Sequence, residues 1–169
     1  MAEYLQFILL DEKGVERNVK MNKDDPDEVY VLKTNYGNKT LKNPYWNRRA
    51  NNETTNGYNS IVVRNKHYYL HRICYYAHNP DWDIYDNSRD NVIDHIDRNP
   101  TNNHISNLRV ATSSQNCENT NAKGYSYNKT GKRWRARVMK HGKEYTKYCK
   151  TEEEAILERE KLKAKHHTF

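Results

Sequence analysis

The stretch that decides the fold is residues 94–116, DHIDRNPTNNHISNLRVATSSQN. The apolar pair Val92-Ile93 leads into the Asp-His doublet and predicts a strand, and a long loop rich in Asn and Asp follows. A second strand is expected near Leu108-Arg109-Val110, and Ser113 opens a short polar helix. The predicted order is therefore strand, long loop, strand and helix.

The polar side chains of this segment suit hydrolysis of a phosphodiester, which needs a base for water and a cation for the developing charge. Asp94 and His95 are adjacent on a strand, so they point to opposite sides unless the strand ends there. The carboxylate can hold a hard cation while the imidazole addresses water near the same phosphate. Asn116 can add a neutral oxygen ligand, and such oxygens suit Mg²⁺. Taken singly, each of these residues could equally be an ordinary loop, turn or cap residue.

The ordered run D-H-I-D-x-N-x-x-N-N-x-x-x-N-L-R-x-A-T-x-x-x-N resembles the HNH endonucleases, specifically the phage- and intron-encoded homing type with a DH…N…N core. The resemblance covers roughly residues 58–120, because the preceding strand, strand and HR helix also match around Tyr69-Leu70-His71-Arg72. It implies a ββα-metal nuclease core and a DNA endonuclease that hydrolyses phosphodiester bonds.

The resemblance also implies a role for each polar residue of the run. His95 is similar to the general base that deprotonates the attacking water, and Asp94 and Asn116 are similar to the ligands of one divalent cation. Asn107 is similar to the residue that fixes the loop and thereby orients His95. Because Asn replaces the last histidine of the family motif, we expect Mg²⁺ first and Mn²⁺ as a second choice.

Two expectations concern residues outside the run. No structural zinc is expected, because the three cysteines lack a paired CxxC spacing: Cys74, Cys117 and Cys149. In the upstream helix, His71 matches a recurrent histidine of the family, and with Arg72 it is a candidate for contact with backbone phosphate. A structural hydrogen-bonding role for His71 is equally compatible with the sequence.

The C-terminal third carries the positive charge. Residues 121–169 contain 14 Lys and Arg against 6 Asp and Glu, whereas the whole chain has a net charge of +7. Three strands are predicted at 125–128, 133–139 and 143–148, and Thr151 with Glu154 forms a capping box that starts a helix. Such segregated charge points to a polyanion partner.

The strand RWRARV alternates strictly, so Trp134, Ala136 and Val138 share one face and three arginines share the other. We expect the apolar face to pack on the helix and the arginine face to meet DNA. Residues 122–165 also resemble the AP2 DNA-binding domain, through KGY, GKRWRA, GK and TEEEA. The predicted DNA-contacting residues of this region are Arg133, Arg135, Arg137, Lys132, Lys143, Tyr145 and Lys147.

Taken together, the sequence predicts an α+β protein with three parts. Residues 1–55 form a β-rich segment of unassigned role, residues 56–120 the nuclease core, and residues 121–169 the AP2-like domain. We expect a soluble, intracellular monomer or homodimer, with double-stranded DNA as its partner and no membrane, and an origin in a phage or virus is compatible. The alternatives are a DNA-binding or regulatory protein with an inactive nuclease site, and a protein that binds or cleaves RNA.

Overall fold

The structure is a computed structural model that describes residues 2–36, 39–120 and 122–167. The strands are β1 Tyr4–Leu10, β2 Glu16–Asn22, β3 Val29–Tyr36, β4 Lys39–Arg48, β5 Asn52–Glu53, β6 Asn59–Val63, β7 Lys66–Tyr69, β8 Val92–His95, β9 Leu108–Ala111, β10 Tyr125–Asn128, β11 Arg133–Lys140 and β12 Lys143–Cys149. The helices are α1 Leu70–His78, α2 Ser113–Glu118 and α3 Glu152–His166. The predicted α+β class is confirmed. No helix in the described ranges combines the length and apolar character needed to cross a membrane.

The chain divides into two compact units. The first comprises Met1–Ser88 with Ile93–Val110, and the second comprises Arg89–Val92 with Ala111–Phe169. The sheets are small and follow the chain: β1 to β4 form one, β5 to β7 a second, β8 and β9 a third, and β10 to β12 a fourth. The boundaries predicted after residues 55 and 120 stay predictions.

The N-terminal sheet contains two strands, β2 and β4, whose residues carry little hydrophobic pattern. In β2, only Val19 and Met21 are buried, with Lys20 between them. β4 has no buried residue and is held by its antiparallel pairing with β3. Pro44 is tolerated there because β4 is an edge strand, whose outer N–H groups need no partner.

The predicted hairpin and helix upstream of the DH motif are both confirmed. β6 and β7 pair antiparallel with Val63 opposite Lys66. Arg64 and Asn65, which form the two-residue turn, have positive φ angles of 46° and 68°, as a type I′ turn requires. Helix α1 then buries Leu70, Ile73 and Cys74 and ends at Asn79, whose N–H donates to the carbonyls of Tyr75 and Tyr76.

One hydrophobic core serves the whole first unit. Its buried members come from the N-terminal sheet, the β6–β7 hairpin, α1, the loop that follows α1 and the β8–β9 pair: Leu9, Val19, Met21, Val29, Val31, Ile61, Val63, Tyr68, Leu70, Ile73, Cys74, Ile84, Ile93 and Leu108. Hydrogen bonds also join these parts, since the Tyr68 hydroxyl donates to the Leu10 carbonyl and the Leu10 N–H donates to the Tyr85 hydroxyl at 2.8 Å. The N-terminal sheet and the DH segment are therefore packed on the same interior.

In the second unit, α2 and α3 both begin at a threonine cap. The Thr112 hydroxyl accepts from the Gln115 N–H at 3.2 Å, and the Gln115 side-chain oxygen accepts from the Thr112 N–H at 2.8 Å. The two bonds form a complete capping box. Thr151 accepts from the Glu154 N–H at 3.2 Å as predicted. The Glu154 carboxylate, however, accepts from the Lys150 N–H at 2.9 Å, so the predicted reciprocal bond is shifted by one residue.

Helix α3 packs on one face of the β10–β12 sheet, as the alternation in RWRARV predicts. The small core between them contains Ala136, Cys149 and Ala155, with Trp134 and Leu162 at its edge. Two of these core residues are alanines, which let the helix approach the sheet closely. The arginine positions of β11 point to the other face of the sheet.

Candidate active site

Strand β8 delivers Asp94 and His95 at its C-terminal end. Both side chains are buried, with exposed fractions of 3% and 5%, and Ile93 before them is part of the core. Beyond the strand, the Ile96 N–H donates to the Asn107 carbonyl at 2.9 Å, so the pairing of the two chain segments continues past His95. Buried polar residues at a strand end need specific partners, and each of these two has one.

The side chain of His95 is hydrogen-bonded to Asn103, a residue for which no role was predicted. The two side chains are joined by a buried hydrogen bond of 3.2 Å between His95 Nε2 and Asn103 Oδ1. Asn103 is 2% exposed, and its Nδ2 donates to the Thr101 carbonyl at 3.3 Å, which fixes the amide with Oδ1 toward the ring. Because Oδ1 can only accept, Nε2 carries the proton, and neutral His95 then has its lone pair on Nδ1.

Asn107 holds the loop that carries Asn103. Its Oδ1 accepts from the Asp97 N–H at 2.9 Å, and its Nδ2 donates to the Asp97 carboxylate at 2.9 Å and to the Asn102 carbonyl at 2.8 Å. Asn102 also donates to Asp97 at 2.7 Å, and this bond is the main reason that the pKa of Asp97 is lowered. These bonds tie both ends of the loop together next to His95.

The partner of Asp94 is Arg109, another residue of the motif to which no role was assigned. Arg109 Nε and Nη2 both donate to Asp94 Oδ2 at 2.8 Å. The side chain of Arg109 is 29% exposed and that of Asp94 is 4% exposed, so the pair places a buried carboxylate against a cation with access to water. The guanidinium thus balances the charge of a buried carboxylate.

Asn116, the second predicted ligand, lies in the middle of α2 and is half-buried. Its N–H donates to the Thr112 carbonyl at 2.9 Å, so the capping box sets the position of its helical turn. A carboxylate oxygen and an amide oxygen are donors of the type that a hard cation such as Mg²⁺ prefers. Within the described ranges, no three His, Cys, Asp or Glu side chains converge on a metal position.

His71 lies against His95. Its ring centroid is 5.1 Å from that of His95, and it stacks on Tyr69 with centroids 5.5 Å apart. The side chain is buried, its Nδ1 has no hydrogen-bond partner among the described residues, and burial, followed by the charges of His95 and Arg72, lowers the pKa of His71 to about 3. A buried neutral imidazole favours the structural role of His71 over contact with phosphate.

Arg72 is also engaged within the protein. Its guanidinium donates to the carbonyls of Ile84 at 2.7 Å and Asp86 at 2.9 Å, and it lies 4.7 Å over the ring of Trp82. These contacts hold the loop that follows α1. Burial is the first cause that lowers the pKa of Arg72. The structure thus places Arg72 as a support for that loop.

The burial of His71 gives a prediction for acid stability. Its folded pKa of about 3 lies below the unfolded value of 6.5, so only the unfolded chain binds this proton between the two values. The contribution of neutral His71 to stability is therefore fully present above about pH 6.5, and it is lost as the pH falls toward 3. Between pH 7.5 and 5.0, His71→Phe should lose about 2 kcal/mol less unfolding free energy than the wild type. Urea titrations at both pH values measure this, with the exposed His67→Gln as control, and equal losses in all three proteins contradict it.

The predicted DNA-contacting residues of the second unit lie on two different faces. Antiparallel partners point the same way, and β12 places Lys147 opposite Ala136 and Tyr145 opposite Val138. Lys143, Tyr145 and Lys147 therefore lie on the face that α3 covers, where the Tyr145 ring stacks on His166 at 3.7 Å. Strand alternation therefore separates these three residues from the arginines of β11, and their contact with DNA stays a prediction. Lys132 lies in the β10–β11 turn, with a φ of 47°.

The arginine face itself is partly neutralised. Glu144 lies 3.9 Å from Arg135 and 3.7 Å from Arg137, and hydrogen bonding from Thr146 is the first cause, with both arginines contributing, that lowers its pKa. Arg133 and Arg137 are exposed, while Arg135 is half-buried. Two of the three arginines thus share one carboxylate, and the face keeps a net positive charge.

Comparison with known proteins identifies the first part of this arrangement. Residues 68–117 match the family described as HNH endonuclease, a segment that runs from the end of β7 through α1, β8 and β9 into α2. Neither the curated proteins nor the solved structures gave a significant match. The matched segment contains Asp94, His95, Asn103, Asn107 and Asn116, so residues 68–117 of this chain are an HNH endonuclease domain.

Proposed function

We propose that the protein is a metal-dependent DNA endonuclease in which His95 is the general base. The observation that carries the proposal is the bond from His95 Nε2 to Asn103 within the matched HNH segment. That bond fixes both the ring and its tautomer, so that the basic nitrogen is Nδ1. A base held in one orientation is what activation of water requires.

The hydrolysis itself needs one proton transfer by this chain. His95 Nδ1 takes a proton from water, the water oxygen bonds to phosphorus, and the bond from phosphorus to the leaving 3′ oxygen breaks. The resulting imidazolium keeps its Nε2–H bond to Asn103, and solvent protonates the leaving oxygen. The products are a 5′-phosphate and a 3′-hydroxyl. Asp94 and Asn116 would hold a divalent cation, Mg²⁺ or secondarily Mn²⁺, which would supply stabilisation of the charge that develops on the phosphate and the leaving oxygen.

Asn103 and Asn107 act as positioning residues in this proposal. Asn107 ties Asp97 to Asn102, and Asn103, next in the chain, sets the ring of His95. Arg109 positions Asp94 through its two bonds to one carboxylate oxygen. None of these three residues needs to touch the substrate for the proposed chemistry.

We further propose that residues 122–165 bind double-stranded DNA and belong to the AP2 type. The support is a three-stranded sheet with a helix on one face and arginines on the other, in the region that holds the excess positive charge. Arg133 and Arg137, both exposed, are the first candidates for contact, followed by Arg135 and Lys132. The assignment to the homing subgroup rests on the DH…N…N order alone.

Incubation with supercoiled plasmid tests the proposal. The wild type should convert plasmid to nicked or linear forms with Mg²⁺ and lose this activity in EDTA. Asn116→Ala should need a Mg²⁺ concentration roughly tenfold higher or more for half-maximal rate, since even outer ligands change metal affinity by that factor. Asn119→Ala, an amide at the end of the same helix, is the control. Cleavage that is unaffected by EDTA contradicts the metal site, and DNA binding without any cleavage favours an inactive, regulatory protein.

A further inference from the structure

The first unit contains a cationic cavity whose lining residues take no part in the proposed active site. Its volume is about 280 Å³. Four basic side chains and two amides line it, over an apolar floor of valine and leucine: Arg17, Lys33, Arg49, Arg64, Asn47 and Asn65. Arg17, Lys33 and Asn47 lie on strands β2, β3 and β4, Arg49 directly follows β4, and Arg64 and Asn65 form the β6–β7 turn. A polar, multiply charged cavity of this size has room for a small anion or several waters.

Two of the groups that line the cavity are bonded to carboxylates. Arg17 is paired with Asp11, with Nη2 2.6 Å and Nε 2.9 Å from the same carboxylate oxygen, and the Asn65 amide donates to Glu12 at 3.0 Å. For Lys33, Arg49 and Arg64, the described part of the chain provides no ion-pair partner; Lys33 instead lies 5.0 Å over the ring of Tyr36. Among the described residues, three positive charges therefore meet at one cavity without an ion pair.

Part of the Arg49 side chain is shielded from water. Its Nε is buried and, among the described residues, has no hydrogen-bond acceptor. Burial, followed by the charge of Arg64, lowers the pKa of Arg49. A buried guanidinium N–H without an acceptor costs free energy that a bound oxyanion would return.

We propose that this cavity binds a phosphate group of the DNA backbone, held by Arg49, Arg64 and Lys33. Guanidinium groups match phosphate oxygens in geometry and charge, and the Asn47 amide can donate to a remaining oxygen, whereas Asn65 already donates to Glu12 at 3.0 Å. The inference rests on the proposed nuclease function for the identity of the polyanion. In this proposal, the N-terminal sheet binds the DNA backbone at a phosphate other than the one that is cleaved.

The surrounding sequence favours a polymer over a free phosphate. Residues 29–52 contain five Lys and Arg and no Asp or Glu, with four aromatic residues among them. Lys39, Lys42 and Arg48 of this segment are exposed and lie on β4, outside the cavity. A basic strand that continues from the cavity suits a chain of phosphates, of which the cavity takes one.

Binding of a labelled DNA duplex in EDTA tests the proposal independently of cleavage. The double variant Arg49→Gln/Arg64→Gln should bind roughly tenfold more weakly, and the slope of log affinity against log salt should become shallower by about 1. Lys13→Gln/Lys23→Gln removes two charges outside the cavity and is the matched control. Arg64→Gln alone, at an exposed turn position, should give part of the loss, and thermal melting checks that each variant folds.

The outcomes are separable. A loss in the cavity variant that exceeds the loss in the control supports the site, even if the wild type fails to cleave DNA. Equal affinities and slopes for cavity variant and control overturn it, as does a wild type that binds no duplex at all. A melting experiment with inorganic phosphate distinguishes a free phosphate from DNA as the ligand. If it raises the melting temperature of the wild type and not of the variant while DNA affinity is unchanged, the cavity binds free phosphate and the DNA assignment is wrong.

Discussion

His95→Ala should lower the rate of plasmid nicking at saturating Mg²⁺ by about two to four orders of magnitude, the range that loss of a positioned base produces. The substitution removes the only imidazole nitrogen that the Asn103 bond orients for water activation. It leaves Asp94 and its bonds to Arg109 in place, so DNA binding in EDTA should be unchanged. Single-turnover measurements separate the chemical step from binding.

Two further variants make the test specific. His104→Ala changes an exposed histidine of the same loop and should keep near-wild-type activity. Asn103→Asp puts a carboxylate against Nε2, which favours the imidazolium, so the acidic limb of the pH–rate profile should move to higher pH. A purely structural Asn103 would lower activity at all pH values without moving that limb. Nicking that survives His95→Ala at the wild-type rate refutes the mechanism.

Arg109→Met should destabilise the first unit by about 3 kcal/mol, because it removes the cation that balances a buried carboxylate. Asp94 is 3% exposed and receives two guanidinium bonds at one oxygen, so its charge gains little from water when Arg109 is lost. Asp94→Asn should cost less, since Arg109 is more exposed and stays solvated. Urea unfolding of the two single variants measures this asymmetry.

The double variant Asp94→Asn/Arg109→Met completes the cycle. Once the carboxylate is neutral, removing the guanidinium should cost less than in the wild type, which gives a coupling free energy of about 1–3 kcal/mol. Additive losses would show that the two groups are energetically independent despite their 2.8 Å contact. Unfolding is the readout here because Asp94 is also a proposed metal ligand, and activity would mix the two effects.

The order of elements around the active site was predictable from sequence because hydrophobic periodicity and turn residues mark it. The apolar pair before Asp94 gave β8, and the short turn before Lys66 gave the β6–β7 hairpin. By contrast, β4 has no buried side chain, and its strand conformation comes from hydrogen bonds to β3. A strand of that kind carries no signal in its own residues.

The partners within the site were less predictable than its main residues. Asn103 and Arg109 were both inside the recognised motif, yet only three-dimensional packing shows that they contact His95 and Asp94. The face on which each β12 residue lies is another such case. Alternation along β11 was read correctly, whereas the register that carries it to β12 depends on the turn between them.

The basic segment 29–52 was not predicted because charge was averaged over too long a stretch of sequence. Averaged over residues 1–120, the positive and negative charges nearly cancel, which hid the run of basic residues in 29–52. Its acidic counterparts lie elsewhere in the sequence, among them Asp24, Asp25 and Asp27 before β3. A window the length of one hairpin would have revealed it.

The N-terminal sheet has a consequence for how this nuclease can be divided. Leu9, Val19 and Val31 lie in the same interior as Ile61, Ile73 and Leu108, so the two regions fold by covering each other. A fragment trimmed to the catalytic motif would leave half of that interior facing solvent. We therefore expect that the matched HNH segment does not fold alone. A fusion of this segment to another DNA-binding domain would have to include the N-terminal sheet.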